Sequence, residues 1–183
     1  MDKNPFLSFC LLLVLFFSFN NLEGGCLVNV IDKQVGVKEA TGHNDGIQVE
    51  QYLKSTGNVR GQSWCAAFVH WCFLQCGITI PTNGMAASCQ NKKNLVMFNR
   101  RMLKEPKPGD VLTLYSFTEK RIHHTGFYRE YYNSKVYVSV EGNTSGNGVV
   151  PGSSSDVDGQ GVYKKLRSYN ATYSISRWVE NIQ

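Results

Sequence analysis

A chain of 183 residues, 42% hydrophobic and 18% charged, is long enough to form a domain with a real core and too apolar to be disordered. Its net charge of +5 suits an anionic polymer or surface as partner. The cations are nonetheless dispersed, and adjacent pairs such as Lys92-Lys93 and Arg100-Arg101 make no long run of the kind that lines a nucleic-acid groove, so no nucleic-acid partner is expected.

The first element is the apolar run from Phe6 to Phe19. It is too short for a comfortable membrane span and the right length for the core of a signal peptide. We therefore expect residues 1–25 to be a signal peptide and residues 26–183 to form a single exported domain, in the periplasm or cell envelope. No small-x-small cleavage site follows the run. Gly24-Gly25-Cys26 instead resembles a bacterial lipoprotein cleavage site, with Cys26 lipidated and anchoring the protein to the membrane, although Glu23 stands where Leu is usual. An uncleaved N-terminal anchor is the alternative. Removing residues 1–25 takes Asp2, Lys3 and Glu23 away and makes the remaining domain one charge more positive.

Cys26, Cys65, Cys72, Cys76 and Cys89 remain after Cys10 leaves with the signal, and an odd count outside the cytoplasm leaves at least one thiol unbridged. Lipidation and catalysis would occupy two. Cys72 and Cys76 lie one helical turn apart and Cys89 beyond the next loop, so one bridge among these three is allowed, with plain core packing as the favoured reading. A zinc site made from them with a histidine lacks the usual knuckle spacing.

From Leu27 to Ser55 the apolar positions Val30, Ile31, Val35 and then Ile47, Val49, Tyr52, Leu53 predict two short helices around a Thr41–Gly46 turn. Asn58 to Gly61 reads as loop, and Cys65 to Cys76 as a helix stopped by Gly77. Cys65 thus sits at a helix N-terminus, where free N–H groups and the helix dipole favour a thiolate and can also receive an oxyanion. A further helix is expected from Met85 to Leu103, closed by Pro106 and Pro108. After that the period changes to strands: Val111–Ser116, His123–Tyr132, Val136–Glu141, Gly161–Tyr169 and Ile175–Val179. The Gly/Ser-rich stretch Gly142–Gly161 is a long loop of the sort that often carries function. Helices first and strands second predict an α+β domain with its helices on one side of an antiparallel sheet.

Two further groups suit a thiol at Cys65. His124 lies early in the second strand, and Gly126 two residues on would leave room for substrate or for the cysteine helix. Glu141 and Asn143 are two apart, so a continuous strand points both to one face, opposite Val136, Val138 and Val140. A carboxylate accepting the imidazole Nδ1–H would leave Nε2 to take the cysteine proton.

Trp64-Cys65-Ala66-Ala67-Phe68-Val69, Pro108-Gly109-Asp110-Val111, His124-Thr125-Gly126 and Glu141-Gly142-Asn143-Thr144-Ser145, in that order, closely resemble the cysteine, histidine-dependent amidohydrolase/peptidase (CHAP) family, over about residues 44–167. The resemblance implies a papain-like α+β fold. It also implies Cys65 as nucleophile, His124 as general base and then acid, Glu141 as the orienting carboxylate and Asn143 as a fourth polar member, with His124 chosen over its rival His123. Cys65 and Gln62 are the oxyanion-hole candidates. The implied reaction is hydrolysis of a peptidoglycan amide, by an N-acetylmuramoyl-L-alanine amidase or a stem-peptide endopeptidase. No cofactor is expected, nor a metal, since the acidic residues that bind calcium in some members are missing from Asn58–Ser63. The protein is expected to act as a monomer. Alternatives are an inactive envelope-binding module, or an interbacterial toxin or phage lysin with the same chemistry; only a toxin would need an immunity protein.

Overall fold

The computed structural model describes residues 25–145 and 160–180. The expected signal peptide up to residue 24, and residues 146–159 of the expected loop, lie outside them. Among the described residues the fold is α+β, with the helices preceding an antiparallel sheet, consistent with a papain-like CHAP fold. The helices are α1 (residues 25–34), α2 (Ile47–Ser55) and α3 (Cys65–Gln75), followed by a 3-10 turn at Ala86–Cys89. The strands are β1 (Leu95–Phe98), β2 (Arg101–Met102), β3 (Val111–Ser116), β4 (Arg121–Tyr131), β5 (Val136–Thr144), β6 (Gly161–Ser168) and β7 (Thr172–Ser176), in the spatial order β2-β1-β7-β3-β4-β5-β6.

α3 is apolar all round and is buried along most of its length. A helix of that composition is stable only inside a core. Phe68 and Phe73 pack on Phe127 of β4, and Val111, Val140 and Val162 complete this face of the sheet beneath the helices. The opposite face carries a second core of Val96, Met97, Leu112, Tyr128, Tyr137 and Ile175. α3 ends as its sequence predicts. Gly77, at φ +72°, lets its own N–H bond Leu74 C=O and that of Ile78 bond Phe73 C=O, each at 3.0 Å, which is the paired closure of a Schellman motif.

The helix expected over Met85–Leu103 is not formed. Only Ala86–Cys89 is helical, and Leu95–Met102 is a hairpin that extends the sheet. The cause is local. Asn91 Oδ1 accepts the Lys93 N–H in a side-chain turn, and Asn99 and Arg100 adopt φ of 47° and 67°, the pair of positive angles that a two-residue hairpin turn requires. Lys92-Lys93 and Arg100-Arg101 therefore sit on a turn and a hairpin, not on a helix. Strand β5 also runs on through Gly142, Asn143 and Thr144, which were expected to open the loop, and β7 starts three residues earlier than expected.

Cys26 and Cys76 form a disulfide across a sequence separation of 50, tying α1 to the end of α3. This corrects two expectations. A thiol in a bridge cannot also carry a lipid, so Cys26 is not the lipidation site here, and Cys76, for which plain core packing or a bridge to Cys72 or Cys89 was expected, is bridged to Cys26 instead. Cys72 and Cys89 are free and buried, and burial pushes the Cys72 thiol well above its ordinary pKa and Cys89 up to about 12, so both remain protonated packing groups.

Candidate active site

Trp64, immediately before the cysteine, is wholly buried; its indole stacks on Tyr52 and its Nε1–H donates to Glu39 Oε1 at 2.9 Å. The Trp64 C=O accepts the first helical hydrogen bond, from Phe68 N–H, so the N–H groups of Cys65, Ala66 and Ala67 have no acceptor within the helix. Gly142 of β5 faces the same point. A side chain there would lie 2.6 Å from the Trp64 ring and 2.8 Å from Phe68, so glycine is what allows the start of α3 to dock on the sheet. Cys65 is thereby fixed at the floor of a cleft of about 190 Å3 walled by Ser63, Met85, Arg121, His123 and Asn143, among others.

The ring of His124 is 1% exposed, and its Nε2 lies 2.8 Å from Glu141 Oε2. An ionised carboxylate only accepts, so Nε2 carries the proton and Nδ1 is the nitrogen left for Cys65. This reverses the ring orientation expected from the sequence. The space at Gly126 also has a different use from either one expected: a Cβ there would meet Glu141 Cγ at 2.6 Å, so the missing side chain makes room for the Glu141 carboxylate to reach across to His124.

Glu141 is itself completely buried and held by Arg167, which donates from Nε to Oε1 at 2.7 Å and from Nη2 to Oε2, while Ser139 Oγ donates to Oε1. Burial by itself would raise the Glu141 pKa; Arg167, and after it His124, hold the carboxyl well below the ordinary range instead. His124 responds in the opposite sense. Burial favours its neutral form, but hydrogen bonding and charge at Cys65 and Glu141 outweigh that and push it up to about 10. The site therefore favours an imidazolium beside the thiol, backed by a carboxylate locked in its ionised state.

Arg167 is the residue that sequence reasoning missed. It lies on β6 next to β5, and β6 buries both Lys165 and Arg167. Basic residues alternating inward on a strand were the available signal, since a buried arginine requires an anion.

Two irregularities aim the remaining groups. The register of β3 against β4 shifts between Leu114–His124 and Tyr115–Ile122, which leaves His123 as an extra residue. Such a bulge turns adjacent side chains in directions that regular alternation forbids. His123 consequently faces the cleft while His124 meets Glu141. In β5 the register shifts between Glu141 and Thr144, and Asn143 has φ +56°. Asn143 thus departs from the face expected for it, lines the cleft beside Cys65 and donates from Nδ2 to Asn44 Oδ1 at 3.0 Å. Gln62 is exposed and its Oε1 accepts the Val59 N–H at 2.9 Å. It braces the preceding turn; Ser63 is the residue of that turn that borders the cleft. Pro108-Gly109-Asp110 proves to be architectural: Asp110 is buried and accepts two bonds from Arg177, at 2.8 and 2.9 Å, clamping the start of β3 to the end of β7.

Among the described residues there is no group of three or more His, Cys, Asp or Glu side chains that could hold a metal ion. A thiol at a helix N-terminus, an imidazole and a buried carboxylate on an α+β frame are the groups that cysteine hydrolases employ. Residues 57–143, which include Cys65, His124, Glu141 and Asn143, match the CHAP domain family, the cysteine, histidine-dependent amidohydrolase/peptidase class. The matched span is shorter than the 44–167 expected and ends before Arg167. Neither the curated proteins nor the solved structures contain a significant match to the chain.

Proposed function

We propose that this protein hydrolyses an amide bond of peptidoglycan, either between glycan and stem peptide or within the peptide, with Cys65 as nucleophile. The observation that carries this reading is the cleft-facing thiol at the first turn of α3, next to an imidazole whose far nitrogen is tied to Glu141. In the proposed reaction Cys65 Sγ, its proton held by His124 Nδ1, adds to the amide carbonyl. The oxyanion is received by N–H groups of the first turn of α3. The imidazolium then protonates the leaving amine as the C–N bond breaks and a thioester remains. Water, losing a proton to the same nitrogen, hydrolyses the thioester and frees the thiol. Glu141 stays ionised throughout and acts by holding the ring; Asn143 is a polar group on the cleft wall that can orient the scissile amide.

We also propose export. The Cys26–Cys76 disulfide supports it, since such bridges persist in oxidising compartments. The basic net charge suits an anionic wall. The test is digestion of purified peptidoglycan with mass analysis of the soluble fragments, Cys65→Ala serving as control. Fragments with a newly freed amine and carboxylate, absent with Cys65→Ala, are expected. Release only of products cut at glycosidic bonds, or of nothing, would overturn the proposal.

A further inference from the structure

The cleft at Cys65 has a neighbour at the wall formed by Arg121 and Ile122. Both residues also border this second, larger hollow of about 490 Å3. The rings in that hollow are Phe98 from β1, Tyr173 from β7 and Tyr115 from β3, three strands adjacent in the sheet. Tyr173 contacts Phe98 edge-on at 5.3 Å between centroids and stacks on Tyr115 at 5.1 Å; Phe117 continues the row 5.3 Å beyond Tyr115 and is 80% exposed. Lys92 and Arg121 edge the hollow, and Arg100 borders a smaller space that shares Tyr115 and Tyr173.

We propose that this aromatic row is a glycan subsite, holding the sugar chain on the acyl side of the scissile bond. A contiguous row of partly exposed rings beside a candidate active site marks a binding surface more than a packing need. Its chemistry suits a sugar. Ring faces cover the apolar C–H faces of a pyranose, and tyrosine hydroxyls, Lys92 and Arg121 supply hydrogen bonds to its hydroxyl, acetamido and carboxylate oxygens. An extended peptide is less well served. Binding by strand addition needs a free sheet edge, whereas the β3 and β7 backbones are paired on both sides. The adjacency of the two spaces then has a consequence for selectivity. With the glycan on the aromatic row and the thiol at its end, the carbonyl over Cys65 is the one attached to the sugar, and the amine that leaves is the N-terminus of the stem peptide. This inference rests on the proposed peptidoglycan reaction and narrows it to the bond between glycan and peptide.

The experiment measures binding in the Cys65→Ala protein by calorimetry, with peptide-free N-acetylated glycan strands and with free stem peptide as separate probes. The same protein carrying Tyr173→Ala or Phe117→Ser is compared; Phe117 is exposed, so the second variant keeps its fold even if the first loses it. We expect glycan strands to bind and each substitution to weaken them about tenfold, the usual scale for an aromatic anchor. Active protein should release peptides with a free N-terminal alanine from intact glycan. Glycan binding that neither substitution changes, or stem peptide that binds and is lost with Tyr173→Ala, overturns the subsite. If glycan binds with the stated sensitivity but active protein cleaves nothing, the subsite stands and the hydrolase proposal falls.

Discussion

Glu141→Gln removes a negative charge 2.8 Å from His124 Nε2 while keeping the shape of the side chain. The rise of His124 from 6.5 to about 10 corresponds, at about 1.4 kcal/mol per pH unit, to about 5 kcal/mol of preference for the imidazolium. Cys65 is the larger cause of that rise and Glu141 the next; a unit charge ~4 Å away at an effective dielectric of ~20 is worth up to about 4 kcal/mol, so loss of the Glu141 charge removes a substantial part of it. The sign follows. A raised histidine stabilises the fold below pH 6.5 and loses that contribution as pH climbs through about 10, whereas the depressed Glu141 contributes above the ordinary carboxylate range and loses its share as pH falls through its lowered value. Glu141→Gln should therefore bring the alkaline limb of activity down by about two pH units and lower turnover on the order of 10²-fold, with little change in KM. It also leaves Arg167 as a buried charge without its anion, a loss of about 3–5 kcal/mol, so Glu141→Gln/Arg167→Met is the companion that separates folding from catalysis. The assay pairs a pH profile of peptidoglycan hydrolysis with an NMR titration of the His124 ring. A His124 that still titrates near its wild-type value in Glu141→Gln, with turnover within a few-fold, would refute the assignment of Glu141 as the group that holds the imidazolium.

Cys65→Ala and His124→Ala should each abolish hydrolysis with the fold retained by circular dichroism, whereas His123→Ala should cost far less; the reverse order for the histidines would show that the bulge presents the other ring to the thiol. Gly126→Ala places a methyl 2.6 Å from Glu141 Cγ and 3.0 Å from Val140 O, so we expect about 1–3 kcal/mol of destabilisation and a fall in turnover resembling that of Glu141→Gln; thermal melting and kinetics check both, and wild-type values would mean that the carboxylate needs no such space. Cys26→Ser opens a loop of 50 residues and should lower stability by about 4 kcal/mol on a chain-entropy basis, matched by adding reductant to the wild type; an unchanged unfolding midpoint would contradict a bridge that stabilises the domain.

α3 and the position of its cysteine could be read directly from the sequence, because an apolar, helix-compatible run with loop residues before it and Gly77 after it marks both ends locally, although only burial in the core makes it stable. Strand β3 was legible to the residue for a similar reason, being bounded by Pro108-Gly109 on one side and turn residues on the other. The segment after Met85 was not. Its strand conformation depends on β7, whose residues pair with β1 from some 80 positions further along the chain, and no period within Leu95–Met102 announces a partner so distant. The site divides in the same way. Cys65, His124 and Glu141 carry recognisable neighbours, so their identities were available in one dimension. How they act on one another was decided in three: one extra residue in β4 sets which histidine meets the carboxylate, the absent side chain of Gly126 lets Glu141 approach Nε2 and so leaves Nδ1 to the thiol, and Arg167 fixes the charge of Glu141 from the neighbouring strand. Cys26 shows the same limit, since what became of its thiol depended on α1 lying against the end of α3. Local chemistry follows from neighbours a few residues away, whereas register, burial and charge pairing depend on which distant strands come together.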